Sequence, residues 1–284
     1  MTLRDAPDGA PVVVGVDDSP LSLTAVRLAA REAAAHDRPL RIVHTFNWIA
    51  APTEPTPEEP RRPAERLLAR CADAAAEAQP GITTSCALIE GAVLTTLLRE
   101  SGSAALLVIG DGGLGRDPAV PADSDATAVQ IAARAGCTVL VGRDRLPAAG
   151  SVLVGVDGSP ASLSALDFAF DTACRRTVDL VVVQVWDAVD STGRLPPEAA
   201  DRLAEAMAPW QRKYPSVAVT QHVRAGDPES ALLDEASRAQ AVVVSARGDE
   251  PWRGMLGAVS QAMLYHSPAP VFVVRNPHEL YIQE

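Results

Sequence analysis

The chain writes one stretch twice, and that repetition constrains its fold more than any other feature. Val12-Val13-Val14-Gly15-Val16-Asp17-Asp18-Ser19-Pro20 returns as Val152-Leu153-Val154-Gly155-Val156-Asp157-Gly158-Ser159-Pro160, an offset of 140 residues. The offset holds without a gap from Val12/Val152 through Phe46/Trp186 and matches Ser22/Ser162, Leu23/Leu163, Ala25/Ala165, Leu40/Leu180 and Val43/Val183. A repeat of this length is a duplicated domain, and 284 residues suffice for two domains of ordinary size. The expected division is residues 1–147 and 148–284.

Each copy reads as a buried strand, a turn and a helix. An apolar run without alternation suits a strand covered on both faces, as in a parallel sheet. Gly15 and Gly155 omit a side chain where something comes close to the backbone. Ser19 and Ser159 are good helix N-caps, and the proline after each sits where its missing N–H costs nothing. The stretch thus brings an aspartate and a helix N-terminus to one edge of a sheet.

The rest of the chain alternates the same way. In the first half, helix is expected from Pro20 to about Asp37, strand over Leu40–Phe46, and an irregular proline-rich excursion from Ala50 to Pro63. Helix resumes at Ala64–Ala78, then strand at Ile82–Ile89, helix at Val93–Glu100, strand at Ala104–Gly110, helix at Ala126–Arg134 and strand at Cys137–Val141. The second half repeats the order, with helices at Pro160–Arg175, Pro196–Lys213, Glu229–Arg238 and Ala258–His266. Its later strands are expected at Leu180–Trp186, Val217–Val223, Ala241–Ser245 and Pro270–Val274. Strand and helix in alternation predict two tandem doubly wound, Rossmann-like α/β domains, each a parallel sheet with right-handed crossovers. Ligands bind such sheets at the carboxyl ends of the strands where the winding reverses.

Composition excludes several functions. The net charge of −11 and the absence of a basic tract argue against a surface for nucleic acid or anionic lipid. Lys213 is the only lysine, which removes a P-loop lysine from consideration. No apolar run reaches bilayer length and no signal peptide opens the chain, so a cytoplasmic protein is expected. Cys71, Cys86, Cys137 and Cys174 are scattered without zinc spacing and read as reduced, mostly buried thiols. The histidines show no metal spacing. No GxSxG elbow or recognisable carboxylate pair appears, so neither catalytic nor metal-binding residues are expected.

The remaining candidates are the loops after the fourth strand of each half. The first reads Gly110-Asp111-Gly112-Gly113, nine residues, then Asp123-Ser124; the second reads Ser245-Ala246-Arg247-Gly248, eight residues, then Gly257-Ala258-Val259-Ser260. Each is a glycine-bearing loop that runs into a helix start, where unpaired backbone N–H groups can meet a phosphate.

These residues, with the doubled V-G-V-D-x-S strand end and the closing run from Leu256 to Val274, make the chain resemble a tandem universal stress protein over nearly all of residues 10 to 276. The resemblance implies a five-stranded sheet of order 3-2-1-4-5 in each half, ATP at the switch between strands one and four, possible Mg²⁺, and dimerisation through strand five. It also implies a stress-response protein that works by ligand-dependent association. In ATP-binding members the loop runs Gly, two residues, Gly, nine residues, Gly, then Ser or Thr.

Both halves depart from that pattern. The first keeps Gly110, Gly113 and Ser124 but has Asp123 at the third glycine, where a carboxylate repels a triphosphate. The second keeps Gly248, Gly257 and Ser260 but has Ser245 for the first glycine, Ala258 for the hydroxyl and a shorter loop. Carried over position by position, the expected nucleotide contacts are Gly155, Asp157, Ser159, Val185, Val244, Gly248, Gly257, Val259 and Ser260 in the second half. In the first half they are Gly15, Asp17, Thr45, Gly110, Gly113 and Ser124. The second half is favoured. Two rival readings stay open: a scaffold without nucleotide, in which Val139–Val141 and Val271–Val274 pair antiparallel and join the halves as a pseudo-dimer, and a slow ATPase. A homodimer is a further expectation.

Overall fold

The computed structural model describes residues 3, 6–46, 61–112, 114, 126–144, 149–186, 195–246 and 255–275. The first half runs β1 (Val12–Val16), α1 (Pro20–Ala35), β2 (Leu40–Phe46), α2 (Arg61–Ala78), β3 (Thr84–Glu90), α3 (Val93–Ser101), β4 (Leu106–Ile109), α4 (Thr127–Arg134) and β5 (Thr138–Val141). The second runs β6 (Ser151–Val156), α5 (Pro160–Arg176), β7 (Leu180–Trp186), α6 (Ala199–Lys213), β8 (Val219–Ala225), α7 (Pro228–Ala236), β9 (Ala239–Ser245), α8 (Ala258–His266) and β10 (Val271–Val274).

All the strands join one ten-stranded sheet of order β3-β2-β1-β4-β5-β10-β9-β6-β7-β8. Within each half the order is third, second, first, fourth, fifth, and every pairing is parallel. Among the described residues the one antiparallel pairing is between the halves, where Leu140 faces Phe272, flanked by Val141↔Val271 and Val139↔Val273. The winding reverses between β1 and β4 and between β6 and β9, so the carboxyl ends of β1 and β6 are the two ligand-competent crevices.

Helices cover both faces. On one, α1, α2, α5 and α6 pack on residues such as Val12, Val14, Val152 and Val154; on the other, α3, α4, α7 and α8 pack on Val13, Leu107, Leu153 and Val242. This double cover is why the strands read as unbroken apolar runs. Each core continues through both halves, and Phe168 stacks tilted on Phe272 with ring centroids 5.0 Å apart.

Boundaries shift where backbone chemistry permits. Helix α2 starts at Arg61 and includes Pro63 in its first turn, where proline displaces no helical hydrogen bond. Helix α6 begins at Ala199 rather than Pro196 and carries Pro209 in its interior. The expected excursion from Ala50 lies outside the described residues up to Pro60. Two of the four thiols, Cys71 and Cys137, are buried; Cys174 is half-buried and Cys86 is exposed, so burial is less general than expected.

Candidate functional site

In the first half, the carboxyl ends of β1, β2 and β4 meet the starts of α1, α3 and α4 around a cleft of about 470 Å³. Its wall at β1 is Gly15-Val16-Asp17. The Asp17 carboxylate is fixed by its own turn: Oδ1 accepts from the Ser19 amide at 2.9 Å and from the Ser22 hydroxyl at 2.8 Å, while the Asp17 amide donates back to Ser22 Oγ at 2.8 Å. Burial raises this carboxyl's pKa, but the bonds from Ser19 and Ser22 and the field of His44 outweigh it and hold the group below the usual carboxylate range. Asp17 therefore stays ionised, and both of these bonds fall on Oδ1.

His44 closes the β2 side. Its Nδ1 lies 2.8 Å from the Val16 carbonyl oxygen and so carries the proton, which leaves Nε2 as an acceptor in the neutral ring. Thr45 lines the cleft beside it. Opposite, Gly110-Asp111-Gly112 leads towards α4, whose first residues Thr127 and Ala128 also line the wall. The first amides of a helix have no intrahelical carbonyl to bond, and the helix dipole adds partial positive charge there. Asp111 is buried, and Arg143 Nη1 stands 3.5 Å from its carboxylate, so the acidic residue in this loop is countered by a cation.

The second half places its expected residues differently. Asp157 Oδ1 accepts from the Ser159 amide at 2.9 Å, and Ser159 and Ser162 lower the carboxyl's pKa against the effect of burial. Ser159 is buried and its hydroxyl accepts from the Ser162 amide at 3.1 Å, which makes it the N-cap of α5. At the loop after β9, the Gly257 amide donates to the Ala246 carbonyl at 3.1 Å. The Ser260 hydroxyl donates to the Ser245 carbonyl at 2.6 Å. Two of the expected nucleotide contacts are thus bonded to the opposite lip of their own loop. Val244 is buried in the core beneath α7 and α8, and Val259 packs against it.

Glycine at 15 and 155 has a packing cause. A Cβ on Gly15 would lie 2.8 Å from Leu97 Cδ1, and one on Gly155 would lie 2.8 Å from Leu232 Cδ1. What comes close to each strand is a leucine of α3 or α7.

Among the expected residues, the first-half cleft therefore gathers Gly15, Asp17, Thr45 and Gly110, with Ser19 beside them. Gly113, Asp123, Ser124, Arg247 and Gly248 lie outside the described residues. The sequence favoured the second half; the structure shows that half's Gly257 and Ser260 engaged internally. Sequence reasoning missed His44, Asp111 and Thr127 as cleft residues. The histidines were read only for metal spacing, and the repeat has Gln184 at the position of His44; Thr127 carries no signal in the loop pattern. Among the described residues, no group of three His, Cys, Asp or Glu side chains is arranged to hold a metal.

Comparison with known proteins agrees with this architecture. The profile of the universal stress protein family matches residues 10–143 and again 149–275. A universal stress protein of Mycolicibacterium smegmatis is 38% identical over 291 aligned positions, covering 93% of this chain and 96% of that protein. One of Mycobacterium tuberculosis is 34% identical over 286, with the same coverage. The crystal structure of a universal stress protein from Archaeoglobus fulgidus superposes with a TM-score of 0.71 at 18% identity, over 93% of this chain and 96% of that one, and shares the fold.

Proposed function

The chain belongs to the universal stress protein family, and from that premise we propose that it binds an adenine nucleotide, ATP with Mg²⁺, in the cleft of its first half. The second half serves as that half's structural partner, an intramolecular pseudo-dimer with the boundary at 147/148, in a cytoplasmic stress-response protein that acts by ligand-dependent association rather than turnover. The observation that carries the reading is the contrast between the two crevices. The first brings an ionised Asp17, Thr45, Gly110 and the first amides of α4 around one cleft, whereas the second-half donors Gly257 and Ser260 are bonded across their own loop.

In this reading Asp17 Oδ2 accepts from the exocyclic amine of the base, and the Gly110–Gly112 backbone with the α4 N-terminus faces the phosphates. Fixed N–H donors need no reorientation to meet an anion, and Arg143 offsets Asp111 beside them. A chain of net charge −11 repels a bare tetra-anion, so the divalent cation is part of the ligand and its removal by chelation weakens binding. The fifth strands are already paired to each other, so a homodimer requires a different surface from the one the resemblance implied. No helix among the described residues is long and apolar enough to cross a membrane.

Calorimetric titration of nucleotide-free protein with Mg·ATP tests the proposal. One saturable equivalent in the micromolar range is expected. Val93, 48% exposed and lining the cleft, can take Val93→Glu without disturbing the core, and the added carboxylate is expected to weaken binding about tenfold or more, whereas Ser260→Ala leaves it unchanged. Absence of saturable binding, or loss through Ser260→Ala with Val93→Glu silent, refutes it.

A further inference from the structure

Helix α2 shows solvent a face whose charges are sorted along its length. Its buried side is Ala64, Leu67, Leu68, Cys71, Ala74 and Ala75, and it packs beside α1 on one face of the sheet. At about 3.6 residues per turn, the line farthest from that core runs through Arg62, Arg66, Ala69, Asp73 and Glu77, all of them exposed. The N-terminal end of this line is basic and the C-terminal end acidic.

Helix stability alone favours the opposite order. The positive end of the dipole lies at a helix N-terminus and attracts carboxylates there, and like charges four residues apart repel. Yet α2 has no acidic residue in its first turn and no basic residue in its last. Its Arg62/Arg66, Arg66/Arg70 and Asp73/Glu77 pairs each set like charges four residues apart. The repeat supplies a control. Helix α6 aligns with α2 through the buried pairs Ala64/Ala199 and Leu68/Leu203, and it follows the dipole, with Asp201 in its first turn and Arg212 and Lys213 in its last. In that alignment Asp201 stands where α2 has Arg66, and Arg212 where α2 has Glu77.

A second helix running the other way resolves the conflict in α2. Two copies of α2 packed antiparallel set the basic end of each against the acidic end of the other. One twofold axis between Ala69 and Arg70 brings Arg66 opposite Asp73 of the second copy and Arg62 opposite Glu77, because both pairs are centred there. Ala69, with its short side chain, stands at the crossing and lets the helices approach.

We propose that the exposed face of α2 is the surface through which this chain pairs with a second copy of itself, as an antiparallel helix pair held by Arg66–Asp73 and Arg62–Glu77 contacts that each form twice. The surface is separate from the β5–β10 pairing that joins the halves, and its use does not depend on nucleotide binding. A contact between two helices about 27 Å long is small, so the dimer is weak and reversible, with an expected dissociation constant of about 10–100 μM.

Sedimentation velocity of the full chain over a concentration series tests the proposal. The wild type is expected to show a monomer–dimer equilibrium in that range. Arg66→Glu and Asp73→Arg each turn two attractions into two repulsions, and each is expected to weaken association about tenfold or more. Both positions are exposed, so circular dichroism and thermal unfolding should show the fold retained. An equimolar mixture of the two variants is expected to restore dimers of wild-type strength, since each supplies the charge the other needs. Asp201→Arg, at the matching position of α6, leaves association unchanged. Net charge cannot mimic this pattern, because Asp73→Arg makes the chain less acidic and would strengthen association if overall repulsion governed it. A wild-type chain that stays monomeric up to about 1 mM, single variants that associate as the wild type does, or a mixture no stronger than its components overturns the proposal.

Discussion

Leu232 reaches the space where a side chain at position 155 would be, and Leu97 does the same at position 15. Because the crowding atom is the end of a flexible leucine, Gly155→Ala is tolerated at a loss of about 1–2 kcal/mol. In a Leu232→Ala background the same substitution loses that penalty, and a double-mutant cycle by urea unfolding measures the difference. An equal penalty in both backgrounds contradicts the packing account. This residue shows what the sequence could disclose about the site. The doubled V-G-V-D spacing exposed Asp17, Gly15 and the glycine loops, because backbone chemistry leaves a one-dimensional trace. It could not disclose that Gly257 and Ser260 are satisfied by Ala246 and Ser245, since those bonds depend on how the two lips of one loop meet. Nor could it show Arg143 beside Asp111, which are brought together by the ends of neighbouring strands.

Helices α1 and α5 start with the same Ser-Pro pair and solve their ends differently. Ser159 caps α5 through its hydroxyl, whereas Ser19 makes no side-chain cap bond and Ser22 turns to Asp17 instead. Ser159→Ala is therefore expected to lower stability by about 1 kcal/mol and Ser19→Ala by less than about 0.5 kcal/mol in the same urea series. Elements were the most legible level of this chain. Leu40–Phe46, Leu180–Trp186 and Ala258–His266 stand where periodicity and punctuation put them, because strands covered on both faces leave unbroken apolar runs. The start of α2 at Arg61 was not legible, since Pro63 reads as a breaker unless it is known to lie in a first turn. The same two helices meet across the halves. His36 at the end of α1 is buried among Glu32, Asp171, Arg175 and Arg176. Burial lowers its pKa from 6.5 to about 4, with the two arginines adding to the shift and the two carboxylates opposing it. The unfolded chain thus takes up a proton near pH 6.5 that the folded chain refuses until about pH 4, so this histidine's contribution is fully present above pH 6.5 and is lost as pH falls. Between pH 7 and 5 the loss from His36 is about 2 kcal/mol, and His36→Gln is expected to flatten the measured pH dependence by that amount.

At the scale of the whole molecule, the halves are joined by more than the short β5–β10 ladder. Each fifth strand ends near an arginine that crosses to the other half's last helix. Arg143 Nη2 donates to the carbonyls of Met263 at 2.9 Å and Leu264 at 2.7 Å in α8, and Arg275 Nη1 donates to those of Ala132 and Ala133 in α4. A guanidinium at a helix C-terminus satisfies end carbonyls and complements the negative end of the dipole, although the Met263 carbonyl also accepts from the Ser267 amide at 3.0 Å. The two arginines are related by the pseudo-twofold that passes between Leu140 and Phe272, so duplication of one domain supplied both halves of the clasp at once. Arg143 also meets a loop of the candidate site, through Asp111, which ties the first-half cleft to α8 of the second half. Arg143→Met therefore removes the donor from two helix-terminal carbonyls and a countercharge from a buried carboxylate, and is expected to lower stability by about 3 kcal/mol. Arg275 is less buried and meets carbonyls alone in these bonds, so Arg275→Met is expected to lower stability by about 1 kcal/mol. Asp111→Asn added to Arg143→Met should recover part of the larger loss, because it removes the charge left without that partner, while leaving the Arg275→Met value unchanged. Thermal unfolding of the three variants and the double mutant decides the matter: equal losses for the two arginines, or no recovery with Asp111→Asn, would mean that the clasp acts through the helix ends alone and that the cleft is not mechanically linked to the second half.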